Sequence, residues 1–238
     1  MLRTILLIIA FVIVWMIAVK FNATLKKHAT KFYIIAIALC IPTTLFMFYY
    51  QFNYENFPNG FYNAWFMSPY RMIQGGFIGS SIWTTVMLAR HIPNHAIKSK
   101  LMAVRSELSI IGFFLTFPQT SVYTVSAYMG ITSEPLTLIY PALTSVYFVL
   151  LLVLGVSSFP FVRKKMTAIQ WKKVQRWAYV FYYMLFIQLI LISTMRAIAT
   201  SSSGDTGEII AEFVRAGIYI AVFVAWHILR SKSKKNRK

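Results

Sequence analysis

Residues 171–188 read WKKVQRWAYVFYYMLFIQ: a basic lead-in headed by a tryptophan, then an apolar run closed by a glutamine. Continued through residue 197, the apolar part is long enough to cross ~30 Å of hydrocarbon as a helix. The lysines and arginines stop where the apolar run begins, as they do at a membrane surface. Gln188 is then an amide inside a span, where an unpaired polar group is expensive. A second apolar run, 108–129, carries another at Gln119.

The pattern recurs along the chain. Apolar stretches at 2–19, 33–51, 71–89, 108–129, 137–160, 177–197 and 209–229 have the length of membrane spans. Lipid-exposed backbone tolerates only helices or closed barrels, and runs near ~20 residues select helices. The expected fold class is therefore all-α, a polytopic membrane bundle of about seven transmembrane helices. The first run is followed by Lys20 with no small-residue cleavage pattern, so it reads as a retained helix. Of the 24 Lys and Arg residues, all but Arg3, Arg71, Arg196 and Arg215 fall in alternate loops and the tail. The positive-inside rule then puts the N-terminus outside and the C-terminus in the cytoplasm, in a bacterial plasma membrane. The expected parts are an extra N-terminal helix with a basic loop (1–32), a helical bundle (33–230) and a basic tail (231–238).

Several function classes drop out. The chain is 58% hydrophobic and 13% charged, so its main partner is the lipid bilayer. A net charge of +18 would suggest nucleic acid in a soluble protein; here it sits between spans and serves topology. Cys40 is the single cysteine, which excludes an intrachain disulfide. HIPNH (91–95) lacks the glutamate of HExxH and is interrupted by Pro93, so no metal site is expected. GxSxG, P-loop and GxGxxG patterns are absent.

Polar residues inside spans carry the remaining chemistry. Arg215 lies within the last span with Glu212 three residues away, an intramembrane charge or a local pair reaching up to the interface. Gly75, Gly76, Gly79, Ser80 and Ser81 make a small-residue stripe suited to close helix packing. Pro118 precedes Gln119 and is expected to kink that span. Tyr123, Trp177, Tyr179, Tyr182 and Tyr183 read mainly as core. The aromatic loop 52–69 reads as an interfacial belt.

From about 70 to 197 the chain resembles the ferric reductase-like transmembrane domain, most closely the haem-bearing membrane subunit of bacterial methionine sulfoxide reductase systems. The resemblance rests on RSELSIIGFFLTFPQ, with Arg105; on WKKVQRWAYVFYYMLFIQ, with Trp171, Arg176 and Tyr179; and on SSFPFVRKK before it. It implies a membrane component of an electron-transfer system. Where the family carries haem-ligating histidines, this chain carries Gln119, Gln175 and Gln188. An amide does not replace imidazole on haem iron, so the departure argues against haem b. A flavin or quinone held by the amides, or a Gln119–Gln188 amide pair bridging the helices, is the expected substitute. A redox role would need a partner subunit. The alternatives are a non-catalytic scaffold or anchor for that partner, and a small-molecule transporter suggested by Arg215 and the glycine stripe. Whether the chain is an enzyme, as an oxidoreductase component, stays open at this point.

Overall fold

The computed structural model describes residues 2–53, 56–57, 67–129, 139–201 and 206–235. Helices follow one another in the order α1 (Leu2–Lys20), α2 (Asn22–Lys27), α3 (Ala29–Phe52), α4 (Ser68–Gln74), α5 (Phe77–Ala89) and α6 (His95–Ala103). Then come α7 (Arg105–Tyr128), α8 (Ile139–Ser158), α9 (Pro160–Lys164), α10 (Ala168–Ser201) and α11 (Thr206–Lys235). No strand occurs among the described residues. Six helices, α1, α3, α7, α8, α10 and α11, are long and apolar enough to cross a membrane.

Polarity is inverted relative to a water-soluble protein. Ile8 and Val12 of α1, Ile34 and Leu45 of α3, Val149 of α8 and Phe213 of α11 are exposed. Thr85, Thr120, Thr144, Gln188, Glu212 and Arg215 are buried. An apolar exterior this extensive is stable only in lipid, so the chain is a multi-pass membrane protein.

Helix α7 sits centrally between α3, α5 and α8; α10 packs on α8 and α11; α1 packs on α5. Inside lies an aromatic core that includes Trp83, Tyr147, Phe181, Phe186 and Trp226. The part of the small-residue stripe on α5 packs as expected: a Cβ at Gly79 would clash with Thr116 Oγ1, so α5 and α7 approach closely. Trp83 Nε1 donates to Thr116 Oγ1 across the same seam at 3.0 Å. Buried hydroxyls on α5 turn back on their own helix: Ser81 Oγ donates to Phe77 O at 2.6 Å and Thr85 Oγ1 to Ser81 O at 2.8 Å.

The expected span 71–89 is not one helix. It breaks at Gly75 and Gly76, leaving α5 at 13 residues, about 20 Å long. Gly76 adopts φ +68°, a left-handed conformation open to glycine, and its N–H donates to Ile73 O at 2.9 Å. Composition could not show this, because the window stays apolar across the break.

The basic stretch 171–176, expected as loop, is helical. Thr167 and Gln170 form a reciprocal capping box: Thr167 N–H donates to Gln170 Oε1 at 2.9 Å, and Gln170 N–H to Thr167 Oγ1 at 3.2 Å. That cap starts α10 at Ala168, and its 34 residues give about 51 Å of helix, well beyond the ~30 Å of hydrocarbon. Helix α11 likewise continues through Lys235 into the expected tail. Helix α7 runs without interruption through Pro118, with Thr120 Oγ1 donating to Thr116 O at 3.0 Å and Ser121 Oγ to Pro118 O at 3.1 Å. The heart of the aromatic loop, 58–66, lies outside the described residues.

Candidate functional site

Helix α7 carries Gln119 and α10 carries Gln188, and the fold brings them together. Both are buried and line one cavity of about 10 Å³, shared with Gly76, Ser80, Thr116 and Tyr147. The expected amide bridge is not formed, because no hydrogen bond joins the two side chains. Gln188 Oε1 is buried with no hydrogen-bond partner. The side-chain oxygen of Gln119 instead fills the space left by the missing Cβ of Gly76.

The cavity decides what can sit between the amides. It has the volume of about one water molecule, against ~300 Å³ or more for ordinary ligand pockets. Two amides in place of imidazoles, in that space, do not fit haem. A flavin or quinone ring does not fit there either.

Gln175 lies elsewhere. It faces a second cavity of about 560 Å³ at the end of the bundle where α10 begins. Arg90, Arg105, Arg163, Lys172 and Arg176 line it with Gln175. The three glutamines therefore do not form one site. No group of three or more His, Cys, Asp or Glu side chains occurs among the described residues.

Arg215 and Glu212 form a buried pair, Arg215 Nη1 to Glu212 Oε2 at 2.6 Å, with side-chain exposures of 3% and 1%. Both side chains are packed among the helices rather than exposed on the bundle. Closure comes from α1: Arg3 Nη1 lies 3.5 Å from Glu212 Oε1, and Thr4 Oγ1 donates to Ala211 O at 3.1 Å. The Arg215 guanidinium also lies 5.9 Å from the Phe77 ring centre. Arg3 escaped the sequence reading, since 209 residues separate it from Glu212. Towards the C-terminal end of α10, Arg196 donates to the Tyr123 hydroxyl of α7.

Between the two cavities runs a ladder of rings. Tyr147 stacks on Phe181 with centroids 5.1 Å apart, Phe181 lies 5.9 Å from Tyr182, and Tyr182 lies 6.3 Å from Trp226. Trp83 adds an edge contact to Phe181 at 4.8 Å. Tyr182 was singled out in the sequence; Tyr147, Phe181, Trp83 and Trp226 were missed because they come from other helices or look like ordinary span residues. Trp177 points away from the core and is 55% exposed.

No protein-family model matches the chain, and no solved structure matches it. Over 164 residues the chain is 28% identical to an uncharacterized protein of Treponema pallidum (strain Nichols). The aligned part is 67% of this chain and 43% of that relative, so the chain spans less than half the relative's length.

Proposed function

We propose that the protein is a seven-span component of a bacterial plasma membrane, N-terminus outside and C-terminus cytoplasmic, acting as a non-catalytic scaffold that anchors a membrane partner. The Gln119–Gln188 junction then stands where a ferric reductase-like domain would hold haem. The observation that carries this reading is the cavity of about 10 Å³ between those amides, which makes the bundle's middle a packing junction. Counting the broken α4–α5 unit as the seventh crossing is supported by the charges. Arg90, Arg105, Arg163, Lys172 and Arg176 gather round one cavity, while Glu212 and Arg215, joined by Arg3 of α1, stand 18 and 15 residues before Arg230 on α11.

A second reading is favoured by the ring ladder. Rings spaced 4.8 to 6.3 Å apart from Trp83 to Trp226 would pass electrons between a partner subunit, flavin or quinone at the basic end and the bundle's middle. An absorption spectrum of the detergent-purified protein separates the two. The scaffold predicts neither a Soret band nor flavin absorption. A Soret band that shifts on dithionite overturns it, and a flavin band transfers support to electron transfer.

A further inference from the structure

The cavity at the α10 start has the composition of an anion site. Four arginines and a lysine line it: Arg90 at the end of α5, Arg105 at the head of α7, Arg163 on α9, and Lys172 and Arg176 on α10. No aspartate or glutamate lines it. The nearest carboxylate in sequence, Glu107, is not part of the wall; its Oε2 accepts from Ser106 Oγ at 2.9 Å. Hydroxyls of Ser109 and Ser158 and the amide of Gln175 add neutral hydrogen-bonding groups to the wall. Five cations brought together without a carboxylate repel one another, and an anion between them relieves that repulsion.

The site is also ordered in advance. The Arg163 guanidinium lies 5.0 Å from the Trp171 ring centre, and the Arg230 guanidinium lies 4.2 Å from the Tyr179 ring and 5.2 Å from the Trp226 ring beneath the cavity. Arg105 and Ser106, both in the cavity wall, open α7, so the backbone of that helix fixes where they stand. Guanidinium groups bind carboxylate and phosphate bidentately, and phosphate offers more acceptor oxygens to a cluster of this size.

Volume narrows the ligand further. About 560 Å³ exceeds the need of an inorganic ion and falls in the range of small organic ligands. Part of the wall is apolar, from Val86, Met87 and Met102, and Phe161 and Ile169 stand 64% and 71% exposed on the adjoining α9–α10 segment. We infer that this cavity binds a phosphate ester, the phosphate held by Arg90, Arg105, Arg163 and Arg176 and its organic part against the apolar wall. Two sources supply that chemistry: the headgroup of an anionic phospholipid, which the exposed apolar flank favours, or a soluble phosphate ester.

The test uses the full-length protein in nanodiscs of phosphatidylcholine, which present lipid to both faces and so do not depend on its orientation. Thermal stability is measured with added phosphatidylglycerol in one arm and with glycerol 3-phosphate in the other, against sodium chloride at equal ionic strength. The expected result is stabilisation in the phosphatidylglycerol arm, with apparent affinity about thirtyfold weaker in the double variant Arg90→Gln/Arg176→Gln. Both side chains are exposed at the cavity rim, so the variant is expected to fold. The control Lys164→Gln/Lys165→Gln removes two exposed cations that do not line the cavity and should change affinity by less than about threefold. Stabilisation by glycerol 3-phosphate with the same variant pattern assigns a soluble source. Equal losses in variant and control, or no stabilisation beyond sodium chloride in either arm, overturn the site.

Discussion

The side-chain oxygen of Gln119 occupies the space in which residue 76 would carry a Cβ; at Gly76 that atom would lie 1.5 Å away. Two constraints meet there, because Gly76 also holds φ +68°. Gly76→Ala should lower stability by about 1–3 kcal/mol, through left-handed strain and displacement of a buried amide. Gly217 has nothing within 4 Å of its Cβ position, so Gly217→Ala should be neutral or stabilising by up to ~1 kcal/mol. Unfolding in detergent reads both; equal effects would contradict the Gly76–Gln119 relationship.

Glu212 is the one carboxylate among Arg3, Arg215 and itself, and it is 1% exposed. Glu212→Gln leaves Arg215 buried and uncompensated, with an expected loss of about 3–5 kcal/mol. Replacing the pair together, Glu212→Leu/Arg215→Met, should recover most of that loss, since the buried guanidinium goes with its partner and the charge that remains, on Arg3, is 29% exposed. A Glu212→Gln protein as stable as the wild type would show that the pair does not hold α11 in place.

Packing by the two glutamines predicts tolerance. Gln188→Leu removes an amide whose oxygen has no partner and fills a cavity of about 10 Å³. The change in stability should stay within ~1 kcal/mol, in line with the ~0.6 kcal/mol average for hydrogen bonds between membrane helices. A loss of several kcal/mol in the same unfolding measurement would mean the amide is held by interactions other than packing.

The seam between α5 and α7 supplies a fourth test. Trp83→Phe keeps a six-membered aromatic ring but removes the indole N–H that donates to Thr116 Oγ1, leaving that buried hydroxyl short of one partner. A loss of about 1–2 kcal/mol is expected, mostly recovered by adding Thr116→Val. Additive losses in the double-mutant cycle would contradict the bond.

Much of this architecture was legible, and the reason is the solvent. Lipid requires continuous apolar runs, so the six long helices fall where hydropathy puts them, from α1 at residue 2 to α11 ending past residue 229. The break at Gly76 was not legible, because α5 is surrounded by protein and its apolar window gives no sign of a change in φ. The start of α10 carried a signal that was overlooked, the capping pair Thr167 and Gln170 in TAIQ. Spacing alone joined Glu212 to Arg215, whereas Arg3 meets them only through the fold. Gln119 and Gln188 were rightly expected to face one another; that Gln175 belongs with Arg105 and Arg163 needed the packing of α7, α9 and α10.

Which face of the membrane each end occupies is the most direct test of the whole arrangement. In a Cys40→Ser background, single cysteines at Leu2, Thr206 and Ser231 are challenged in intact cells with a membrane-impermeant maleimide; all three positions are exposed. Seven crossings with the basic end inside require that Leu2→Cys and Thr206→Cys label in intact cells and Ser231→Cys only after permeabilisation. Labelling of Leu2→Cys and Ser231→Cys from the same side would make the number of crossings even and remove α4–α5 as the seventh.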